Sequence, residues 1–117
     1  MHNYKELKLW QKSIELVSEV YKLVSKFPSS ERFNLINQIQ RSAISIPSNI
    51  AEGAGRNSKK EFVQFLSIAH ASTYELETQL IISKNLKYLL DSELDDILVN
   101  LYELQKMSYG LQRKLRV

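Results

Sequence analysis

Four long segments of this chain repeat apolar residues at alternating spacings of three and four, and this periodicity constrains the fold more than any other feature. Such spacing places the apolar side chains along one stripe of an α-helix. Only 3 glycines and 2 prolines interrupt the segments, which disfavours a fold of many short strands. The spacing predicts helices over about residues 5–26, 31–53, 59–87 and 93–115.

Three short connections join the predicted helices, and short connections place consecutive helices antiparallel to one another. The sequence therefore predicts an all-α protein, an antiparallel up-down-up-down four-helix bundle that forms a single domain over residues 1–117. The seven-residue repeat predicts that neighbouring helices cross at about 20°. A chain of 117 residues is long enough to bury one hydrophobic core.

The first predicted helix carries two apolar lines. One line comprises Leu7, Trp10, Ile14, Val17, Tyr21 and Val24, and the other comprises Leu9, Leu16, Val20, Leu23 and Phe27. Either the helix is deeply buried in its own bundle, or its second line contacts another subunit.

The segment 38–56 also carries two stripes on its predicted helix. Isoleucines such as Ile39 and Ile46 continue the core stripe, whereas the second stripe is polar. We interpret the polar stripe as a contact with another helix or another subunit, and Glu77 and Glu75 of the third helix are the carboxylates able to join it. The predicted interface residues are Gln38, Arg41, Ser42, Ser45, Asn49, Glu52 and Glu77. For the arginine, an ion pair with Glu15 is the structural alternative.

Three local signals shape this part of the chain. Pro47 lies inside the second predicted helix and removes one backbone hydrogen bond, so a kink or a 3₁₀ turn is expected there. Gly53 and Gly55 are predicted to end the helix with left-handed backbone angles. Ser58 and Glu61 match a capping box at the start of the third helix.

Few residues have the chemistry of an active site. The chain has no cysteine, which excludes disulfides, thiolate metal sites and cysteine nucleophiles. It also lacks the Glu-x-x-His pairs of a di-metal bundle, a nucleophile elbow and a phosphate-binding loop. We therefore predict a protein that is not an enzyme and has no metal or cofactor. His70 is expected to be a helix-surface or interface residue, with a role as base or ligand as the alternative.

The sequence carries no signal for export or membrane insertion. Residues 1–10 contain charges where a signal peptide has its apolar run, and no uncharged stretch approaches the ~18 residues of a membrane span. The lack of cysteine is compatible with a reducing compartment. We expect a cytoplasmic protein without a membrane partner.

Basic residues are concentrated in parts of the chain that the predicted topology brings together. In an up-down-up-down bundle, the chain start, the connection between the second and third helices, and the chain end share one end of the molecule. The predicted nucleic-acid-binding residues of this basic end are Lys5, Lys8, Arg56, Lys59, Lys60, Arg113, Lys114 and Arg116, with Lys12 nearby and Glu6, Glu52 and Glu61 as its acids. The opposite end is expected to be acidic, through Asp91, Glu93, Asp95 and Asp96.

Two interpretations of the basic end are open. Contact with nucleic-acid phosphates would position the protein without reading sequence. Alternatively, these are ordinary charged residues that maintain solubility. We expect no aromatic platform for RNA bases beside them, because the Phe and Tyr residues mostly fall on the core stripes.

Several motifs resemble those of a known family. They include Leu9-Trp-Gln-Lys12, Gln38-Ile-Gln-Arg-Ser-Ala43, Ser45-Ile-Pro-Ser-Asn-Ile-Ala-Glu-Gly53 and Glu75-Leu-Glu-Thr-Gln-Leu80. Over about residues 5–90 the chain resembles the four-helix-bundle proteins encoded within 23S rRNA intervening sequences of bacteria. The resemblance implies an up-down bundle, a ring-like homopentamer and a nucleic-acid role. The family is also similar to accessory proteins of diversity-generating retroelements, which implies a complex of reverse transcriptase and RNA as a partner.

The sequence thus supports two hypotheses of function. The first is a non-enzymatic homo-oligomer that associates with RNA or a ribonucleoprotein through its basic end. The second is a protein-interaction scaffold that uses the polar stripe and binds no nucleic acid. In a ring of parallel subunits the basic ends would form one continuous cationic rim, which multiplies phosphate contacts.

Overall fold

The protein, seen in a computed structural model that describes residues 3–116, consists of four helices. They are α1 (Lys8–Val24), α2 (Leu35–Ala54), α3 (Lys59–Asn85) and α4 (Asp91–Arg116). Two 3₁₀ turns, Tyr4–Glu6 and Ser29–Glu31, precede α1 and α2. The described residues include no β-strand. The molecule is elongated, with extents of 44 × 24 × 20 Å.

Side-chain contacts between helices establish an antiparallel order. Each helix packs against its neighbours in the chain, and α4 closes the bundle against α1. In each pair of helices that side-chain hydrogen bonds or ion pairs join, the residue numbers of the bonded partners rise along one helix and fall along the other. Examples are Ser42–Gln79 and Ser45–Ser72 between α2 and α3, His70–Ser108 and Glu77–Gln105 between α3 and α4, and Lys12–Glu103 and Glu19–Asn100 between α1 and α4. The predicted all-α four-helix fold is confirmed.

The core lies along the axis of the bundle and is formed by the inward stripe of each helix. Its largest fully buried side chains include Leu16, Ile39, Ile46, Ile50, Leu66, Leu76, Leu80, Leu101 and Leu104. Burial of one such side chain contributes ~1.5–3 kcal/mol of transfer free energy. Burial of the apolar side chains that the periodicity of the sequence places on the inward stripes is therefore the main source of stability.

In α1 the line that begins at Leu9 is the more deeply buried of the two. Leu16 and Val20 are almost completely inaccessible, whereas Ile14 and Tyr21 on the other line are each 40% exposed. The crossing of α1 over its neighbours decides which line enters the core, and helical spacing by itself does not contain that information.

Two helices begin later than their periodicity predicts. Helix α1 starts at Lys8 because Leu7 has an extended backbone, and α2 starts at Leu35 rather than at residue 31. The backbone at Asn34, with φ −118° and ψ −101°, lies outside the helical region and separates the 3₁₀ turn from α2. Helix α3 ends at Asn85, two residues before the predicted position, because Lys87 adopts a left-handed φ of 66°.

Pro47 lies within a continuous α2 and is buried, so the expected 3₁₀ interruption does not occur. The prediction for the two glycines was also wrong, because neither has a positive φ. At Gly53 the reason for glycine is a close approach of α2 to α3. A Cβ atom there would lie 2.6 Å from Phe65 Cβ and 3.0 Å from Phe62 Cδ1.

Candidate nucleic-acid interface

The antiparallel order brings the start of α1, the α2–α3 connection and the end of α4 to one end of the bundle. The side chains of the basic end are exposed there. These are Lys5, Lys8, Arg56, Lys59, Lys60, Arg113, Lys114 and Arg116. They outnumber the acids Glu6, Glu52 and Glu61, so this end carries an excess of positive charge.

A serine cap at the start of α3 positions the two lysines in the middle of the basic end. Ser58 caps α3 by accepting a hydrogen bond from the Glu61 amide at 3.1 Å, and its hydroxyl lies 3.3 Å from Glu61 Oε1. The predicted serine cap is confirmed, but the return half of the capping box differs, because Glu61 contacts the Ser58 hydroxyl instead of the Ser58 amide. Lys59 and Lys60 occupy the first turn of α3 and point into solvent.

Arg56 is less available for contact with a ligand than Lys59 and Lys60, because its guanidinium has partners within the chain. Its guanidinium lies 3.9 Å from both Glu52 and Glu61 and stacks 4.7 Å from the centre of the Phe65 ring. Exposed ion pairs of this length contribute only ~0–1 kcal/mol, but they do offset the charge. Within residues 3–116, Lys59 and Lys60 form no salt bridge.

Lys12 contributes little to the basic end, because it bonds to Glu103 of α4 at 2.9 Å. That hydrogen bond, with the attraction of the carboxylate, raises the pKa of Lys12. Lys12 is therefore not counted among the free cations of the basic end.

The opposite end of the molecule is mixed in charge, which corrects the expectation of an acidic end. Lys26 pairs with Glu93, and Lys84 lies 3.7 Å from Asp91. Further cations lie in the same region of the bundle at Lys22, Arg32 and Lys87. The charge asymmetry of the protein therefore arises from one basic end, not from two opposed ends.

The polar stripe of α2 packs largely against α3 within the same chain. Ser42 is buried, and its hydroxyl lies 3.0 Å from the Gln38 carbonyl, 2.6 Å from Glu75 Oε1 and 2.9 Å from Gln79 Oε1. The hydroxyls of Ser45 and Ser72 lie 2.8 Å apart. The inner part of the polar stripe therefore holds α2 and α3 together by hydrogen bonds.

Asn49 remains within its own helix, where its side-chain amide donates to the carbonyl of Ser45 at 2.8 Å. Gln38, Arg41 and Glu52 form the outer edge of the stripe and are exposed. Among the described residues, no ion pair joins Arg41 to Glu15, which lies beside Lys12, Glu19 and Glu103 on the α1–α4 side.

Glu77 does not belong to the polar stripe. Its carboxylate accepts hydrogen bonds from Tyr102 at 3.0 Å and from Gln105 at 3.2 Å, and both partners lie on α4. The carboxylate that joins the stripe is Glu75 instead. Glu75 and Glu77 point to different neighbours because successive helical positions differ by 100°.

His70 lies between α3 and α4 and is partly buried. Its Nδ1 is 3.0 Å from Ser108 Oγ and its Nε2 is 3.1 Å from Tyr74 Oη. Burial lowers the pKa of His70, which favours the neutral imidazole. Both ring nitrogens are thus engaged within the bundle.

Beside His70 an open groove of about 650 Å³ runs along the surface where α3 and α4 meet, and we call it the α3/α4 groove. Three of its lining residues, Tyr74, Tyr102 and Tyr109, are 54%, 48% and 56% exposed. This corrects the expectation that tyrosines fall mostly on core stripes. The missed signal is the repeat Tyr102, Lys106, Tyr109, Arg113 on the outer face of α4, at spacings of four, three and four.

Residues 3–116 lack two further kinds of feature. No helix there is long and apolar enough to cross a membrane. No cluster of three or more His, Cys, Asp or Glu side chains in that part of the chain is arranged to hold a metal ion.

Comparison with known proteins gives one family and one fold. The sequence model of the 23S rRNA-intervening sequence protein matches residues 5–110. A crystal structure at 1.70 Å of a protein with unknown function, from the S23 ribosomal protein family of Bacteroides thetaiotaomicron VPI-5482, superposes with a TM-score of 0.83. The two chains are 24% identical over 90% of this chain and 95% of the other, a likeness that shows the fold. No curated protein matches the sequence.

Proposed function

The chain belongs to the 23S rRNA-intervening sequence protein family, and from that premise we propose that it is a non-enzymatic, homo-oligomeric bundle that binds RNA through its basic end. The observation that carries the proposal is the convergence of eight exposed cations from three separate parts of the chain on one end of the molecule. RNA, alone or in a ribonucleoprotein such as a reverse transcriptase complex, is the partner that such a surface fits.

The basic end suits phosphate contact rather than sequence recognition. Lys59 and Lys60 are exposed and form no salt bridge within residues 3–116, so their ammonium groups can approach phosphates without breaking an internal contact. Contacts of this kind release counterions, and they make affinity steeply dependent on salt. Arg56, held by Phe65 and two carboxylates, contributes less.

Assembly is supported by apolar side chains that the single chain leaves uncovered. Ile44 on α2 and Ile68 and Ile82 on α3 are 43%, 50% and 43% exposed. They flank the exposed edge of the polar stripe, where Gln38 and Arg41 lie. A second copy packed on this face would bury them, and the resemblance described above favours a ring of five. Five basic ends on one rim would add their phosphate contacts.

The hydrogen bonding of His70, the one histidine among the described residues, supports a non-enzymatic role. His70 is hydrogen-bonded at both ring nitrogens. No carboxylate lies within hydrogen-bonding distance of its ring in residues 3–116. A general base needs an imidazole nitrogen within reach of substrate, and here the contacts with Ser108 and Tyr74 occupy both.

The competing function is a protein scaffold without nucleic-acid binding. It is favoured by the exposed apolar residues at the other end of the α2–α3 face, where Phe33 is 84% exposed and Leu86 is 50% exposed. Such side chains commonly mark contacts with other proteins. On this alternative the basic end only maintains solubility.

Fluorescence anisotropy with a labelled RNA hairpin, titrated over a salt series, separates the two functions. We expect binding that weakens steeply with salt. In the double variant Lys59→Glu and Lys60→Glu, the slope of log affinity against log salt should fall by about one for each lost phosphate contact. The matched control reverses Lys22 and Lys87 at the other end and should leave the slope unchanged.

Light scattering completes the test, because the proposal requires a mass well above the 13.6 kDa of one chain. Absent or salt-independent RNA binding by an assembled protein would favour the scaffold. A monomer at micromolar concentration would contradict the assembly.

A further inference from the structure

The α3/α4 groove presents three tyrosine rings that the core does not use. About half of the surface of each of Tyr74, Tyr102 and Tyr109 faces solvent, although aromatic rings are usually buried. Exposed aromatic residues gathered on one face are typical of a binding surface.

Each ring is held by a neighbour. The Tyr74 hydroxyl bonds to His70 Nε2 at 3.1 Å, with the two rings edge to face at 5.1 Å. The Tyr102 hydroxyl donates to Glu77 at 3.0 Å. The Arg113 guanidinium lies 5.8 Å from the centre of the Tyr109 ring. Side chains that are ordered before binding lose less conformational entropy when a ligand stacks on them.

Cations alternate with the rings along α4. Lys106 lies between Tyr102 and Tyr109 on the same face, and Arg113 and Arg116 continue the line into the basic end. Since a helix rises 1.5 Å per residue, the two rings are separated by ~10 Å along the axis, with one ammonium group between them. The groove is thus continuous with the proposed phosphate-binding surface.

Glu103 lines the groove and Glu77 lies next to it, and the two carboxylates differ in their partners. Glu77 accepts bonds from Tyr102 and Gln105, and Glu103 pairs with Lys12. Tyr102 and Gln105 are neutral, so Glu77 keeps its negative charge, whereas Lys12 compensates that of Glu103. Within residues 3–116, Lys106 and Arg113 form no salt bridge, and they supply the positive charge that attracts a polyanion. In contrast, the exposed isoleucines that suit a second copy of the chain lie on the outer α2–α3 face.

We propose that the α3/α4 groove binds unpaired bases of single-stranded RNA, which stack on Tyr102, Tyr109 and Tyr74 while Lys106 and Arg113 contact the intervening phosphates. The inference rests on the proposed RNA binding and adds a preference for single strands. Every base has a π face, so stacking of this kind tolerates any sequence. A duplex keeps its bases stacked inside and can use only the basic end.

Anisotropy titrations with an unpaired RNA of about 12 nucleotides and a duplex of the same length test this preference. The double variant Tyr102→Ala and Tyr109→Ala should bind the single strand about tenfold or more weakly, since stacking on an aromatic ring strengthens binding substantially. Its affinity for the duplex should change less than twofold. Tyr21→Ala, which removes a tyrosine of similar exposure from α1, is the matched control.

Two further variants keep the test independent of folding defects. Tyr109→Phe retains the ring and should bind the single strand like the unmodified protein. Lys106→Glu should weaken single-strand binding without changing the thermal melt followed by circular dichroism. A double alanine variant with unchanged single-strand affinity would overturn the inference, as would an equal loss for both RNAs.

The outcomes also separate this inference from the proposed function. If the duplex binds through Lys59 and Lys60 while the tyrosines have no effect, only the groove assignment is wrong. If neither RNA binds, both the proposed RNA binding and the assignment of the groove are wrong. If the double alanine variant lowers the mass measured by light scattering, the groove is a contact between copies of this chain, and the inference is wrong.

Discussion

The boundary between α2 and α3 and the boundary between α3 and α4 involve the same central helix but differ in character. Small residues line the first: Gly53 allows close contact with Phe65, and Ser42 and Ser45 bond directly to α3. Large side chains line the second, where tyrosines leave a groove of about 650 Å³. The small residues thus allow α2 and α3 to approach closely, whereas α3 and α4 are bonded to each other but leave open space along the outer side of their boundary.

The contrast assigns different roles to two sets of polar residues. At the α2–α3 boundary the polar atoms are bonded to each other, with Ser42 and Gln79 buried and Ser45 and Ser72 half-buried, so they contribute mainly to helix pairing. At the α3/α4 groove the polar atoms orient exposed rings. Substitutions at the first boundary should change stability, whereas those at the second should change binding with little effect on stability.

The largest expected effect is at Gly53. A valine there would place its Cβ 2.6 Å from Phe65 Cβ, so α2 and α3 must separate. We expect a loss of about 3 kcal/mol, the upper range for overpacking. For a domain of this size that lowers the melting temperature by roughly 10 °C or more, measured by circular dichroism.

Gly110→Ala is the matched control for that substitution. A Cβ at Gly110 meets nothing within 4 Å, and the residue lies inside α4. Alanine should stabilise the helix by about 0.5–1 kcal/mol, because glycine is a poor helix former. A Gly53→Val protein that melts like the unmodified one would show that the helices are not in close contact there.

A smaller loss is expected for Ser42→Ala. The single hydroxyl proton of Ser42 has three acceptors within reach, and its removal leaves Gln79 Oε1 in a buried site with one donor fewer. The cost of such a change is about 1–3 kcal/mol. Urea unfolding measures it, with Ser18→Ala on the exposed face of α1 as the control. Equal midpoints for the two variants would contradict a structural role for the buried serine.

At the groove, Tyr102→Phe removes a hydroxyl that donates to Glu77 but keeps the exposed ring. Because the site is open to water, both groups can bond to solvent in the variant, and stability should change by no more than about 0.5 kcal/mol. The same urea experiment measures it beside Ser42→Ala. A loss as large as that at Ser42 would mean that the two boundaries do not differ in the way described.

The smallest effect concerns pH. Burial lowers the pKa of His70 in the folded protein below its ordinary value of 6.5. As pH falls through 6.5, the unfolded chain therefore takes up this proton before the folded chain does, and stability decreases until the folded pKa is passed. His70→Gln should show a weaker decrease in unfolding free energy between about pH 7.5 and 5. Parallel pH profiles for the two proteins would exclude this contribution.

Helix content and the identity of the core could be predicted from the sequence because both depend on periodicity. Ile39, Ile46 and Leu101, for example, recur at positions that must share a helix face. Helix ends were less predictable, because the backbone at Leu7 and Asn34 departs from helical geometry without a sequence signal strong enough to reveal it. The mixed charge of the end opposite the basic end was not predicted. It depends on contacts of Lys26 with Glu93 and of Lys84 with Asp91, which join residues of different helices or segments.

The candidate site was predictable only in part. The convergence of Lys5, Lys59 and Arg113 follows from the order of the helices, so the sequence indicates it as soon as the topology is assumed. The sequence allowed either Glu75 or Glu77 to join the polar stripe. Which of them does so, and which contacts α4, depends on the rotation of α3 about its own axis. The same rotation, with that of α4, exposes the tyrosines.

Apolar spacing and short connections suffice to predict a four-helix bundle with one apolar core and a basic end. The packing of the helices was needed to show that Gly53 serves a close helix contact, that the inner part of the α2 stripe is bonded to α3, and that a tyrosine groove lies along α3 and α4. The physical reason is that periodicity fixes which residues share a face. The rotation and separation of packed helices depend on the side chains that meet between them.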